Sequence, residues 1–383
     1  MITDVKRIAG KLCLSLFAFL LVMGGTEIAL RLLYPVSSGA DFSGITVPDD
    51  ALGYRFVPNS SKVIRGTLND YSTKIHISPY GFRSPAVPVE KPDGLTVRLV
   101  LFGDSEVFGC GVATDDMLNV RLEELLNSSS PQMYQALNFG MPGIAAIEQE
   151  VILNDLLPQW RPDILVSVIT VANDLSDTVR SANRSGSRKL PTPAQGSARF
   201  WHRSELYHLL KLTMLPRLPR FLTPRSHWVR EAPPFVKQWF LDENMSATFD
   251  VMTSALSRVK KKCDDHGVAM ILVAIPSRCQ FDPTFIDILS RTTERELLES
   301  VLSDWDRPQR MLSYVAEREG ITYVPVLPTF RELAADHRMR LKHRHDGHLN
   351  ALGTLELARL ISKAVQSEQM AEANSSTVTA KVF

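Results

Sequence analysis

Cysteine is scarce in this 383-residue chain, and its four copies, Cys13, Cys110, Cys263 and Cys279, form no CxxC pair. That spacing resembles neither a thiolate metal site nor a disulfide framework. Cys13 lies in an apolar N-terminal run, so the other three allow at most one bridge, and the disulfide state stays open. An excess of one charge is also missing: 43 Lys and Arg face 42 Asp and Glu, for a formal charge of +1. No global field therefore selects nucleic acid or a strongly anionic partner. There is no GxxxxGK[ST] loop, and Gly109-Cys110-Gly111 is only a fragment of a dinucleotide fingerprint, because Thr114 stands where its third glycine belongs. No cofactor is expected.

With 44% hydrophobic and 22% charged residues, the composition is that of a folded globular protein. The length suits one large catalytic domain with extras, or two ordinary domains. Lys6, Arg7 and Lys11 precede an uncharged run from Leu12 to Gly25, and the apolar pattern resumes from Ile28 to Leu33. A spanning helix needs about 20 residues, which the segment to Tyr34 reaches by tolerating Glu27. A cleaved signal peptide has a shorter core and a small-residue site close behind it; Ser38-Gly39-Ala40 stands too far downstream. Residues 1–34 are thus expected to be a cytoplasmic stub and an uncleaved transmembrane anchor. The basic flank stays in the cytoplasm, placing the rest outward, on the periplasmic or extracytoplasmic face of an inner membrane in a bacterial cell.

Residues 35–95 read as a juxtamembrane segment of short strands and turns. From 96 to 366 strand and helix patterns alternate. Short apolar runs, as buried strands should look, occur at Val97–Phe102, Gln135–Phe139, Asp163–Thr170, Val268–Ile275 and Ile321–Val326. Helical spacing occurs at Leu118–Leu126, Ile147–Leu157, Phe249–His266, Arg307–Arg318 and Ala351–Gln366. Alternation of this kind predicts an α/β three-layer sandwich around a central parallel sheet. It is interrupted at about 178–245, where the stretch from Arg180 to Lys237 carries about twelve Lys and Arg against Glu205 and Glu231, with Trp201, Tyr207 and Trp228 interleaved. This basic insertion reads either as a solvated excursion or as a contact with lipid headgroups or a lid. Residues 367–383 are polar and expected to be disordered.

Ligands of a parallel sheet gather at the carboxyl ends of its strands. The first strand runs into Gly103-Asp104-Ser105, the second into Asn138-Phe139-Gly140-Met141-Pro142-Gly143, and the third into Ala172-Asn173-Asp174. Asp346-Gly347-His348 stands just before the last helix. Acyl transfer by serine needs a nucleophile, a base, an acid that orients the base, and donors for the developing oxyanion. Ser105 supplies the first, His348 the second and Asp346 the third. The Ser105 and Gly143 N–H groups and the Asn173 amide are the candidate oxyanion donors.

These blocks, in this order, resemble the SGNH (GDSL-type) hydrolase superfamily. Gly103-Asp104-Ser105 matches its first block, Gly143 the second, Asn173 the third and His348 the last. The stretch from Leu101 to Val112, the segment Asn138–Gly143 and the upstream Tyr80-Gly81-Phe82-Arg83 resemble a branch of membrane-anchored bacterial members. The resemblance covers residues 70–365 apart from the insertion, and it implies an SGNH/flavodoxin-like fold and a serine esterase or acyltransferase. Two positions differ from the usual pattern: Ala172 replaces the glycine of the third block, and Asp346 precedes His348 by two residues. The latter spacing resembles the Asp-x-His of some polysaccharide O-acetyltransferases.

His337, His343, His345 and His348 crowd one segment with Asp346, and His-x-His can ligate zinc, but no further carboxylate or cysteine ligands are evident, so no metal is expected. The expected substrate is an acyl, first of all O-acetyl, ester of a cell-envelope or exported glycan. Acyl transfer to a glycan, lipid ester cleavage and a non-catalytic glycan-binding member are the alternatives. The expected partners are the acylated glycan or lipid substrate and, through the N-terminal helix, the membrane; no nucleic acid is expected, and the oligomeric state is left open.

Overall fold

In the computed structural model, the described residues are 2–37, 39–91, 96–183, 204–213, 234–285, 295–336 and 339–380. Helix α1 (Ile2–Leu33) contains a 24-residue stretch, Gly10–Leu33, with an 18-residue run of mean hydropathy 2.0 that holds no buried residue, long and apolar enough to cross a membrane. Two antiparallel hairpins follow: β1 (Thr46–Asp49) with β2 (Gly53–Phe56), and β3 (Ser61–Arg65) with β4 (Ser72–His76).

The main sheet comprises β5 (Thr96–Phe102), β6 (Met133–Asn138), β7 (Ile164–Thr170), β8 (Ala269–Ile275) and β9 (Thr322–Val324). All neighbouring pairs are parallel, in the order β6-β5-β7-β8-β9. Strands covered on both faces become continuous apolar runs rather than alternating ones, and every residue of β7 is buried. Successive side chains of one strand enter opposite layers. Val100 and Phe102 join the cluster under Ile152, Leu153 and Met252, whereas Leu99 and Leu101 join that of Leu122, Leu126 and Ile361. These layers are formed by helices α4 (Ala146–Trp160) and α7 (Met245–Asp265) on one side, and by α3 (Leu118–Ser129) and α12 (Ala351–Ala380) on the other. The fold is thus the α/β sandwich expected from the sequence.

The hairpins do not stand apart from this core. Tyr54, Phe56, Ile64 and Ile75 are buried in the first cluster, with Phe56 stacked on Phe108 at 5.1 Å between ring centres. Helix α12 runs past Gln366, the end read from its apolar spacing. Gln366 donates to Ser129 at 2.7 Å, Glu368 accepts from Thr322 at 2.6 Å, and Gln369 accepts from Tyr134 at 3.3 Å, so polar contacts extend the packing where apolar periodicity stops. Of the basic insertion, helix α6 (Glu205–Thr213) is described, while Trp201 and Trp228 fall outside the described residues. All four cysteines are free thiols.

Candidate active site

The chain runs from β5 outward to β6 and then crosses back past β5 to β7, and the carboxyl end of such a switch point is where ligands of a parallel sheet gather. Here β5 gives way to Gly103, Asp104 and the short helix α2 (Ser105–Phe108). Asp104 caps that helix: its Oδ1 accepts the Glu106 N–H at 3.0 Å and the Thr170 hydroxyl at 2.9 Å. At the other end, the buried Arg83 guanidinium donates to the carbonyls of Phe108 (3.3 Å), Gly109 (2.6 Å) and Val112 (2.9 Å). Burial lowers the Arg83 pKa to about 10, so it remains a cation at neutral pH and ties together carbonyls at and just beyond the end of α2. Gly140, after β6, lets the two loops meet: a Cβ there would lie 2.5 Å from the Phe108 nitrogen.

Ser105 and His348 are separated by 243 residues, yet His348 Nε2 lies 2.8 Å from Ser105 Oγ. The other ring nitrogen, Nδ1, is hydrogen-bonded to Asp346 Oδ1. Asp346 Oδ2 accepts the Thr67 N–H at 3.1 Å and the Thr67 hydroxyl at 3.4 Å. Burial alone would favour a neutral Asp346, but the imidazole hydrogen bond and charge, with the Thr67 N–H, outweigh it and hold the carboxyl well below the usual range. Burial likewise opposes an imidazolium at His348, whereas Asp346, then Glu106 and Asp104, raise its pKa above the ordinary value. The arrangement favours positive charge on His348, which a general base develops when it takes a proton.

Four supporting residues are invisible at the motif level. Glu106, next to Ser105, forms a buried ion pair with Lys342 at 2.7 Å and accepts the Leu349 N–H at 2.8 Å. Lys342 and Leu349 form an antiparallel bridge across the loop that carries His348, so one carboxylate ties the Ser105 helix to the His348 loop. Thr67 and Asp70 come from the turn between β3 and β4. Asp70 accepts the backbone N–H groups of His345 (2.6 Å) and Asp346 (3.2 Å). In that turn Leu68 has φ 54° and ψ 29°, a left-handed conformation costing a branched side chain about 1–3 kcal/mol, the kind of strain that clusters at functional sites.

The candidate oxyanion donors follow the carboxyl ends of β5, β6 and β7. The Ser105 N–H opens α2, and Gly143 follows β6 with φ 71°. Asn173 stands at the N-cap position of helix α5 (Asp174–Ala182), where its side chain makes no capping hydrogen bond. Its amide nitrogen donates to Asp104 Oδ2 at 2.9 Å and Asp177 Oδ2 at 2.7 Å, so both its hydrogens are engaged with carboxylates. Ala172, in place of glycine, is held by Gln238, which donates to its carbonyl at 3.2 Å, and Trp239 Nε1 donates to the Val171 carbonyl at 2.8 Å. Asp104, Asp174 and Asp177 bring carboxylate oxygens within 4.8 Å of one another. Burial, reinforced by the charge of Asp104, pushes Asp174 well up, so a proton relieves part of the repulsion.

The histidines of the C-terminal segment disperse. His343 Nε2 is 2.9 Å from the Gly111 carbonyl, and the backbone N–H of His345 goes to Asp70; His337 lies outside the described residues.

No family model and no curated protein matches the sequence. Solved structures are similar in fold. TesA shares 13% identity at a TM-score of 0.37, over 70% of this chain and 98% of its own. Axe2, an acetylxylan esterase from Geobacillus stearothermophilus, shares 12% at 0.40, over 70% and 94%. LAE5, an alpha/beta hydrolase enzyme from the metagenome of Lake Arreo, shares 14% at 0.35, over 70% and 94%.

Proposed function

We propose that this chain is an SGNH-type serine esterase, held in a membrane by α1 with its catalytic domain outward, that hydrolyses an acyl ester, first of all an O-acetyl ester of a cell-envelope or exported glycan. The observation that carries this reading is the continuous hydrogen-bonded chain from Ser105 Oγ through His348 to Asp346. Ser105 Oγ attacks the ester carbonyl while His348 Nε2 takes its proton, and Asp346 stabilises the imidazolium that forms. The carbonyl oxygen becomes an oxyanion facing the Ser105 and Gly143 N–H groups. Asn173 joins them by exchanging its contact with Asp177 for the oxyanion. His348 then protonates the departing alcohol, and water, activated by the same imidazole, releases the acyl group from Ser105.

A sugar hydroxyl in place of that water would make the same site an O-acyltransferase, a reading favoured by the Asp346-Gly347-His348 spacing. The test is turnover of an aryl acetate and acetyl release from acetylated envelope polysaccharide by the native chain and by Ser105→Ala. Loss of both in a folded variant is expected; retained turnover rules out Ser105 as nucleophile. Acetyl appearing on an added glycan acceptor rather than in solution would favour transfer.

A further inference from the structure

The segment that leaves α1 is part of the structure around Asp346. The Tyr34 hydroxyl donates to the Leu68 carbonyl at 3.3 Å, the Leu68 N–H donates to the Ser37 carbonyl at 2.8 Å, and the Asn69 amide donates to the Pro35 carbonyl at 2.8 Å. Ser37 Oγ donates to the Arg65 carbonyl at 3.1 Å. These contacts grip the same turn, with its left-handed Leu68 and Asn69, whose Thr67 and Asp70 hold the loop of Asp346 and His348. From the last residues of the apolar helix to the candidate catalytic acid there is one turn and no linker.

Glu27, an acid within the apolar stretch, is built in as well. Its carboxylate accepts from the Ser204 hydroxyl (2.8 Å) and the N–H groups of Glu205 (3.1 Å) and Leu206 (3.0 Å), and it pairs with Arg31 at 2.6 Å. An ionisable group in a spanning helix needs such partners. They come from the first turn of α6, whose Glu205 accepts the Val36 N–H at 2.7 Å. The insertion is thereby latched to the same end of α1 as the catalytic turn.

We infer that the site works at the bilayer surface, on an acyl ester carried by a membrane-embedded molecule rather than on a free soluble chain. This rests on the serine esterase reading and on α1 lying in the membrane. A tether that long chains could reach past would be flexible; this one is fixed to the catalytic loop, and confinement to the surface raises the effective concentration of whatever is confined there too.

The test uses the full chain in liposomes, with Ser105 labelled by a fluorophosphonate bearing a donor fluorophore and an acceptor on the lipid headgroups. Strong energy transfer is expected, falling when a flexible linker of about eight Gly and Ser residues is inserted between Leu33 and Tyr34. Transfer in the native chain no greater than in the linker variant overturns the placement. In parallel, one acetylated sugar is supplied free or attached to a dialkyl lipid in vesicles. The vesicle-borne form should be deacetylated about tenfold faster or more at equal bulk concentration, and equal rates overturn the substrate assignment. Absence of Ser105 labelling together with absence of deacetylation of either form would instead remove the serine esterase reading beneath the inference.

Discussion

Replacing Asp346 by Asn tests the chain of contacts behind His348 more sharply than removing the side chain. Both carboxylate oxygens are occupied by donors, with Oδ1 at His348 Nδ1 and Oδ2 at the Thr67 N–H, 3.1 Å away. An amide has one acceptor and one donor end. If its oxygen stayed at His348, its NH2 would face the Thr67 N–H, donor against donor. Turned the other way, the amide points its NH2 at the His348 backbone N–H, which Oδ1 accepts at 3.1 Å in the native chain, and gives an N–H to Nδ1. Neither orientation restores both acceptors, and the turned one disturbs the imidazole. The imidazole proton is then forced onto Nε2, where it points at Ser105 and cannot accept the hydroxyl proton. Loss of the correct tautomer costs about 10⁴ in rate in serine triads, which corresponds to about 5 kcal/mol of transition-state stabilisation. A second effect has a definite sign. A base works when deprotonated, so the native rate climbs with pH through the His348 pKa, which Asp346 raises above the ordinary value. In Asp346→Asn that acidic limb moves to lower pH. The assay is kcat/KM for an aryl acetate across pH, with His348→Ala as reference. A loss smaller than about tenfold, against a far larger one for His348→Ala, would show that Asp346 does not set the imidazole's tautomer.

Lys342→Met leaves Glu106 buried without its cation and should cost about 3–5 kcal/mol, whereas Glu106→Gln with Lys342→Met should recover most of that stability; denaturant midpoints of the two variants decide it. Gly140→Ala puts a methyl against the Phe108 backbone nitrogen and should cost about 1–3 kcal/mol while lowering turnover, measured by thermal melting and aryl acetate hydrolysis. Asn173→Ala should reduce kcat by about 10²–10³ if its amide turns to the oxyanion; an unchanged kcat would leave it as the brace between Asp104 and Asp177. The mature chain should keep residues 1–34 and stay with membranes through an alkaline wash, as intact mass and fractionation would report, and a shortened chain in the soluble fraction would contradict an anchoring role for α1.

The strands were legible because a sheet covered on both faces forces continuous apolar runs, and those runs fall within a residue or two of β5, β7 and β8; their order in the sheet was not, because it depends on how the crossovers pack. Ser105, His348 and Asp346 were legible because each follows a recognisable break after a strand or before a helix. Thr67, Asp70, Glu106 and Lys342 were not. Their partners lie more than two hundred residues away along the chain, and although Gly66, Asn69 and Asp70 mark a turn, nothing in Leu68 itself announces its left-handed conformation. Asn173 was legible as a polar group at a strand end, but its engagement with Asp104 and Asp177 depends on how α5 packs. The continuation of α12 past Gln366 escaped notice because polar contacts, rather than an apolar stripe, carry it.

The most direct measurement is mass spectrometry of the native chain after reaction with a fluorophosphonate at neutral pH. A single adduct on the peptide containing Ser105, absent from Ser105→Ala and sharply slowed in His348→Ala, is the expected result. An adduct elsewhere, or labelling of Ser105 at the same rate without His348, would contradict the assignment of these two residues as nucleophile and base.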